Sequence, residues 1–210
     1  DALNQSAVFS SRSTNQFKLG IKVMGNYEFP EDTYGYRSPG HCSVFSDEDG
    51  QRYLVYPTRF ANAGEKFEVR VHQQFMNEDG WPVTAVFENR NDAISLNGYE
   101  TADIIGTYAF INHGISSDGR NVKSPQTIQL NPDGTVTGDV TGTWNEEENT
   151  CYAVFVLGDV TYKGVFFRQH SEIAPSTLKM TFTAIGSNNE TIWGIREQTS
   201  AIAASSPKKF

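Results

Sequence analysis

The sequence predicts an all-β protein in which one small antiparallel sheet is followed by an antiparallel β-barrel. Three observations support this fold class. No window of about ten residues carries the i, i+3, i+4 apolar pattern of an amphipathic helix. Aromatic residues make up 12% of the 210 residues, and Gly, Asn, Thr and Ser are frequent, which suits short strands and turns. Turn signals also recur at short intervals between apolar runs.

Five strands are predicted in the first half of the chain. They lie near 21–27, 41–46, 52–57, 67–76 and 83–88. The sequences DEDG at 47–50 and NEDG at 77–80 predict hairpin turns, because Gly supplies the positive φ that such turns need. A lone sheet of this size leaves one face and two edges uncovered, as a propeller blade does without its neighbours. The first half therefore needs sheets from outside this chain.

Eight strands are predicted in the second half, enough to close a barrel. They lie near 104–111, 126–130, 135–140, 142–145, 151–157, 160–168, 178–184 and 191–197. Strand 151–157 is apolar on both faces, which favours a filled interior over a cavity for a small apolar ligand. The polar stretch 89–103 separates the halves. We therefore predict a first domain at 1–95, a barrel domain at 96–199 and a disordered tail at 200–210.

Charge and composition exclude or disfavour several classes of function. A net charge of −8 disfavours nucleic-acid binding, which needs clustered Lys and Arg, and no stretch approaches the ~20 apolar residues of a membrane helix. The two cysteines, Cys42 and Cys151, cannot form a disulfide framework; we expect both to be free and buried, although one bridge between them stays open. The opening residues lack both Met and an apolar leader, so we expect the back part of a longer protein.

Several motifs resemble one enzyme family. KVMGNYEF, YGYRSPGHCSVF, YLVYPTRF and EVRVHQQFMNEDGWPV are similar to the end of the catalytic domain of endo-1,5-α-L-arabinanases of glycoside hydrolase family 43. IIGTYAFINHG, IQLNPDGTVTGDVTGTW and YAVFVLGDVTYKGVFFRQ resemble the C-terminal, lipocalin-like barrel domain of its longer members. The resemblance covers roughly residues 20–198 and includes the order of the two domains.

The resemblance implies a fold and an activity. The fold is a five-bladed β-propeller, of which this chain carries the terminal part, followed by the barrel. The activity is hydrolysis of α-1,5-linked arabinofuranosyl chains of plant arabinan with inversion, by one carboxylic acid and one carboxylate. In the family these groups lie on earlier blades, so no catalytic residue is expected in this chain. The implied partner is the N-terminal propeller part, and the implied location is secreted, periplasmic or at the cell surface.

Carboxylates of the first half are expected to be solvated turn residues rather than catalytic groups. These residues are Asp47, Glu48, Asp49, Glu78 and Asp79.

His41 is the one metal-ligand candidate. The resemblance implies that the histidine of the SPGH turn reaches the propeller axis and binds one calcium ion that is otherwise largely coordinated by water. Spacing alone favours a simpler interpretation, an imidazole that closes the turn by bonding a backbone carbonyl. His72 is expected to be structural or exposed, and nothing in the sequence pairs His113 with His170.

Other candidates have both a binding and a packing interpretation. Tyr34, Tyr36 and Arg37 precede the His turn and can line a sugar cleft or pack between blades. Arg59 can pair with a carboxylate of a neighbouring blade, which is usually a structural role. Trp81 is expected to pack at a blade corner. Trp144 and Trp193 of the barrel are expected to be core residues, although an exposed one of these two can contact polysaccharide. The alternative function is a non-catalytic carbohydrate-binding or scaffold protein, in which the barrel is the working unit.

Overall fold

A computed structural model describes residues 20–30 and 34–197. In this part of the chain there are thirteen strands and one short helix. The elements are β1 (Tyr36–Arg37), β2 (Ser43–Ser46), β3 (Arg52–Phe60), β4 (Phe67–Met76), β5 (Pro82–Thr84), α1 (Thr101–Ile104), β6 (Gly106–Asn112), β7 (Gln126–Leu130), β8 (Thr135–Gly138), β9 (Gly142–Glu146), β10 (Tyr152–Leu157), β11 (Val160–His170), β12 (Leu178–Gly186) and β13 (Thr191–Arg196).

The first half forms one antiparallel sheet with the strand content of a propeller blade. The strand order is β1–β3–β4–β5, and β2 pairs with β3 along the same edge as β1. The predicted hairpin turns are confirmed: Gly50 has φ 80° and Gly80 has φ 78°, values that favour glycine. We refer to this sheet, residues 34–84, as the blade.

The second half closes into an eight-stranded antiparallel barrel, as predicted. The order around it is β10–β11–β12–β13–β6–β7–β8–β9. Its interior is filled by aromatic and aliphatic side chains, and Phe182 lies at the centre against Tyr108, Phe110, Phe155 and Phe166. Gly194, opposite Phe182 on the next strand, leaves room for that ring, because a Cβ there would lie 2.2 Å from it. The filled interior is therefore confirmed.

One face of the blade packs on the outside of the barrel. Leu54, Tyr56 and Phe60 belong to the same buried cluster as the barrel residues Ile111 and Trp193. The opposite face of the blade carries the alternate residues of each strand. On that face Phe45, Phe67 and Val69 are exposed, at 49, 63 and 57% of their surface. The predicted uncovered sheet face is therefore present.

The prediction of a strand at 21–27 is wrong. In this stretch the structure has only single bridges, from Tyr27 to Tyr36 and to Lys123. Met24 and Tyr27 are buried between blade and barrel, but the amides of Gly25 and Asn26 bond to side chains of the barrel loop, so no strand ladder forms. The predicted strand at 83–88 is also shorter, because only Pro82–Thr84 pairs regularly. Helix α1, four residues long, was not predicted.

Both thiols are free, as expected, but only Cys151 is buried, whereas Cys42 is exposed. The predicted disordered tail at 200–210 lies outside the described residues. Within the described ranges, every helix is too short or too polar to cross a membrane.

Candidate functional site

The edge of the blade is interrupted between β1 and β2, and His41 lies in the interruption. Arg37 pairs with Arg59, and Ser43 pairs with Val55. Five residues, 38–42, therefore oppose only three on β3, a bulge of two extra residues. We call residues 38–42 the His41 turn. Both Ser38 (φ 52°) and His41 (φ 51°) are in the left-handed region, which is uncommon for residues other than glycine.

The His41 side chain is exposed. Within residues 20–30 and 34–197, its imidazole makes no hydrogen bond. The simpler interpretation, an imidazole that closes the turn by bonding a carbonyl, is therefore not the arrangement found. The backbone of the turn is held by other groups: Thr58 Oγ1 donates to the Arg37 carbonyl at 3.1 Å, and the Gly40 amide donates to the Pro57 carbonyl at 3.4 Å. The imidazole is thus available to a ligand on the edge of the sheet.

Asn26 connects the His41 turn to the barrel. Its Oδ1 accepts a hydrogen bond from the Ser38 amide at 2.7 Å. Its Nδ2 donates to the carbonyls of Gly119 (3.1 Å) and Asn121 (2.8 Å) in the loop between β6 and β7. The Asn26 side chain is buried whereas its three partners are exposed, so each of these bonds is partly shielded from water. A side chain from the segment before the blade therefore fixes the start of the His41 turn against the barrel.

The same barrel loop holds the segment around Asn26 by partly buried charges. Lys22 Nζ lies 2.8 Å from Asp118 Oδ2 and also donates to the carbonyls of His113 and Ser116. Asp118 Oδ2 accepts the Asn26 amide at 2.9 Å, and His113 Nδ1 accepts the Gly25 amide at 3.0 Å. Because Nδ1 accepts, the proton of the neutral ring is on Nε2. Burial, followed by Lys123 and Lys22, lowers the pKa of His113 well below its ordinary value.

The three residues predicted to line a cleft have different surroundings. Tyr34 is exposed, at 51% of its surface. Arg37 pairs with Glu65 in the loop that joins β3 to β4. Tyr36 is buried, stacks on Tyr27 at 4.7 Å between ring centroids, and donates to Glu172 at 2.9 Å. The position of Tyr36 favours the packing interpretation, whereas the substrate role of Tyr34 and Arg37 stays a prediction.

Several polar groups in the interior between blade and barrel are satisfied by specific pairs. His72, fully buried on β4, lies with Nδ1 2.8 Å from the Ala85 carbonyl and Nε2 2.9 Å from the Tyr56 hydroxyl. A carbonyl can only accept, so Nδ1–H donates and Nε2 accepts from Tyr56. Glu172 accepts from the Glu88 amide at 2.7 Å and from Tyr36, and burial raises its pKa. His72 is thus structural, one of the two roles expected for it.

Several other expectations are corrected by the structure. Glu78 and Asp79 are not simply solvated, because both pair with Lys163 of the barrel, at 2.7 and 2.9 Å. Arg59 pairs within the blade, 3.7 Å from Glu65. His170 contacts the Asp92 carboxylate and not His113, which agrees with the expectation that the two histidines form no joint site.

The tryptophans divide into two buried and one exposed. Trp144 and Trp193 are 8 and 0% exposed and belong to the cores, as expected. Trp81, expected to pack at a blade corner, is 56% exposed.

The described residues contain no cluster of three or more His, Cys, Asp or Glu side chains that could hold a metal ion. Calcium prefers six to eight oxygen ligands, so one imidazole on a sheet edge fits only as a single contribution to such a site. The turn carboxylates are also committed elsewhere: Asp47 Oδ1 caps the amides of Asp49 and Gln51. The chain therefore supplies one ligand candidate and needs further groups from outside the described residues.

Two features of the site were missed by sequence reasoning. Asn26 acts on a barrel loop more than ninety positions away, and no local pattern marks such a bond. The exposure of Trp81 also depends on how closely the barrel approaches the turn. The one available signal was the position of Trp81 directly after a turn, because connecting segments run over the protein surface.

Comparisons with known proteins place this architecture in a family. The C-terminal lipocalin-like domain of glycoside hydrolase family 43 matches residues 87–194, just over half of the chain. The extracellular endo-α-(1→5)-L-arabinanase 2 of Bacillus subtilis (strain 168) is 42% identical over 193 residues, and a Thermotoga petrophila extracellular endo-arabinanase is 39% identical over 188. These alignments cover 89 and 84% of this chain but only 39% of each relative.

Solved structures agree. A family 43 glycoside hydrolase from Bacillus licheniformis superposes with a TM-score of 0.79 at 38% identity, over 87% of this chain and 40% of that one. The endo-1,5-α-L-arabinanase of Thermotoga petrophila RKU-1 gives 0.78 at 35% identity, over 87 and 42%. These proteins thus share both the blade and the barrel with this chain. The chain belongs to glycoside hydrolase family 43 and carries its C-terminal lipocalin-like domain.

Proposed function

We propose that this chain is the C-terminal part of an inverting arabinanase that hydrolyses α-1,5-L-arabinofuranosidic bonds in plant arabinan. The observation that carries the proposal is the identity of 42 and 39% to proteins named extracellular endo-arabinanases, over 84–89% of the chain. The same names support secretion. Inverting hydrolysis needs an acid and a base on opposite sides of the sugar. We propose that both carboxylates belong to an N-terminal propeller part, because the chain spans 39% of those relatives.

The exposed side of the blade is the proposed contact with that N-terminal part. Phe45, Phe67 and Val69 are all about half exposed or more, on a sheet face that a neighbouring blade would cover. Burying such residues contributes roughly 25 cal/mol for each Å² of apolar surface removed from water. A five-bladed propeller built in this way would be active only when both parts are assembled.

His41 is the proposed contribution of the chain to a central calcium ion. Its imidazole makes no hydrogen bond within the described ranges, and it projects from the edge of the blade. In a propeller, this edge of each blade faces the shared axis. A calcium ion there would stabilise negative charge on the neighbouring carboxylates. His41 would hold one coordination position while oxygen ligands fill the others.

The test is to co-express the chain with an N-terminal propeller part of the same protein. We expect the complex to hydrolyse linear α-1,5-arabinan with inversion at the anomeric carbon, measured by proton NMR, and the chain alone to be inactive. The complex should hold about one calcium ion, which His41→Ala should lose or bind more weakly. Elemental analysis measures the calcium, and His170→Gln, a histidine paired with Asp92 on the barrel, is the matched control.

Cys42 supplies a second measurement, independent of activity and of calcium. It is exposed beside His41 in the free chain, whereas Cys151 is buried and has a raised pKa. Thiol labelling of Cys42 should be fast in the chain alone and slow in the complex. An assembled complex with unprotected Cys42 would contradict the proposed contact, and arabinanase activity of the chain alone would contradict the need for a second part.

A further inference from the structure

A second candidate site lies where the β4–β5 turn of the blade meets the barrel. A cavity of about 390 Å³ opens there between Trp81 and Asp79 on the blade and Lys163, Ile185 and Asn189 on the barrel. The volume is at the lower end of the roughly 300–1,000 Å³ typical of sites for small ligands. It is separate from the His41 turn. The turn interrupts the edge of the sheet formed by β1 and β2, whereas Trp81 precedes β5, the strand at the opposite edge.

The turn itself does not need the Trp81 ring. Asn77 Oδ1 accepts the amides of Asp79 (3.1 Å) and Trp81 (2.8 Å), and the Gly80 amide donates to the Asn77 carbonyl at 2.9 Å. These bonds use the backbone of Trp81 and would be formed by most residues. Yet 56% of the largest natural side chain is left in water, where its apolar surface is unfavourable. The hydrogen bonds of the turn therefore give no reason for a tryptophan at this position.

Ion pairs and one hydrogen bond join the walls of the cavity across the two halves of the chain. Lys163 Nζ lies 2.7 Å from Glu78 and 2.9 Å from Asp79, and Asn77 Nδ2 donates to the Lys163 carbonyl at 3.2 Å. The exposed ion pairs contribute little stability by themselves. They do bring a carboxylate and an ammonium group together in the lining that also contains the indole ring. A ligand would therefore meet polar groups that are already placed around one cavity.

The chemistry of the lining selects a class of ligand. An exposed indole face offers a flat apolar surface, and Asp79, Lys163 and Asn189 offer acceptors and donors at its rim. A sugar ring combines an apolar C–H face with hydroxyl groups that both donate and accept. Lys163 is already neutralised by two carboxylates, which disfavours an anionic ligand. A purely apolar ligand would leave these polar groups desolvated and unpaired.

We propose that the Trp81 cavity binds a neutral oligosaccharide, with one sugar ring stacked on the indole and its hydroxyls bonded to Asp79, Lys163 and Asn189. The identity of the sugar, an α-1,5-linked arabinofuranosyl chain, rests on the proposed function. Because the cavity adjoins β5, at the opposite edge of the blade from the His41 turn, it holds the polymer at a distance from the proposed cleft. It thus serves to keep a long substrate attached to the enzyme.

The test is calorimetric titration of the 210-residue chain with linear α-1,5-arabino-oligosaccharides. We expect saturable binding that Trp81→Ala weakens at least tenfold and Asn189→Ala weakens several-fold. Phe67→Ala, which removes another exposed aromatic ring of the blade, should bind like the natural chain. In the natural chain, oligosaccharide should shift the indole fluorescence and protect it from acrylamide, because Trp144 and Trp193 are already buried. Circular dichroism checks that the variants remain folded.

Two results would overturn the site: equal affinities of Trp81→Ala and the natural chain, or no binding of arabino-, galacto- or xylo-oligosaccharides at millimolar concentration. Tryptophan-dependent binding of a different neutral sugar supports the site but contradicts arabinan as the substrate. Tryptophan-dependent binding of arabino-oligosaccharide, together with an assembled complex that does not hydrolyse arabinan, supports the site and contradicts the catalytic proposal. The two proposals therefore fail in distinguishable ways.

Discussion

His72 is a neutral imidazole locked inside the blade by one donor and one acceptor bond. Desolvation by burial lowers its pKa to about 4 from an ordinary value of 6.5. Between these values the unfolded chain binds a proton that the folded chain does not, so stability rises with pH. The part of the free energy of unfolding that depends on His72 protonation is fully present above pH 6.5. It is lost as the pH falls towards 4, and the total loss is about 3 kcal/mol.

We expect this residue to be visible in the acid stability of the protein. In His72→Gln, the free energy of unfolding should be lower at pH 7 but should fall less steeply between pH 6.5 and 5, by up to about 1.4 kcal/mol per pH unit. Urea unfolding at several pH values measures the slope. Glu172, whose pKa is raised, acts in the opposite direction in both proteins and so cancels in the comparison. Equal slopes would contradict a buried neutral His72.

At the scale of elements, the His41 turn depends on a bond from outside the blade. Removing the Asn26 side chain leaves the Ser38 amide and the Gly119 and Asn121 carbonyls without their partner, at a cost of about 1–3 kcal/mol. We therefore expect Asn26→Ala to increase the rate of amide hydrogen exchange in residues 38–42 about five- to tenfold or more. Hydrogen-exchange mass spectrometry measures it.

The matched control for Asn26→Ala is Asn62→Ala, which removes only a surface bond to Glu28. It should leave exchange in the His41 turn unchanged. If both variants behave alike, the turn is ordered by its own sequence and the connection to the barrel is not needed.

Strand prediction succeeded where the determinants are local. Predicted strands 67–76 and 126–130 match β4 and β7, because each ends at a turn whose Asn and Gly residues are recognisable in the sequence. The stretch at 21–27 failed because its partners are His113 and Asp118, close to ninety residues away. The site divides in the same way. His41 was located by its motif, whereas Asn26 and the Trp81 cavity exist only once the barrel packs on the blade.

The whole molecule is stabilised by a core that both halves share. Leu54, Tyr56 and Phe60 of the blade and Ala109, Ile111, Trp193 and Ile195 of the barrel belong to one buried cluster. A barrel without the blade would expose the barrel residues of this cluster, and a blade without the barrel would have two uncovered faces. Neither half can therefore lose its structure without removing support from the other.

We accordingly expect one cooperative transition on heating. In differential scanning calorimetry, the calorimetric and van't Hoff enthalpies should agree. A barrel fragment 96–197 should melt at a lower temperature than the chain or aggregate, since its outer strip is uncovered. Two separate transitions, or a fragment as stable as the chain, would show that the shared cluster contributes little.

The His41 turn adds two residues to the edge strand of the blade, and this even number matters for how such a turn could be gained or lost. Side chains of a strand alternate between two faces, so an even number of added residues preserves the parity of everything beyond it. Tyr36, before the insertion, pairs with Phe60, and Val44, after it, pairs with Leu54, so both lie on the same face of the sheet. A single added residue would have inverted β2. Deleting Gly40 and His41 together would leave three residues opposite three and join β1 and β2 into one strand. The two residues can therefore be gained or lost without changing which side chains of the sheet face the barrel.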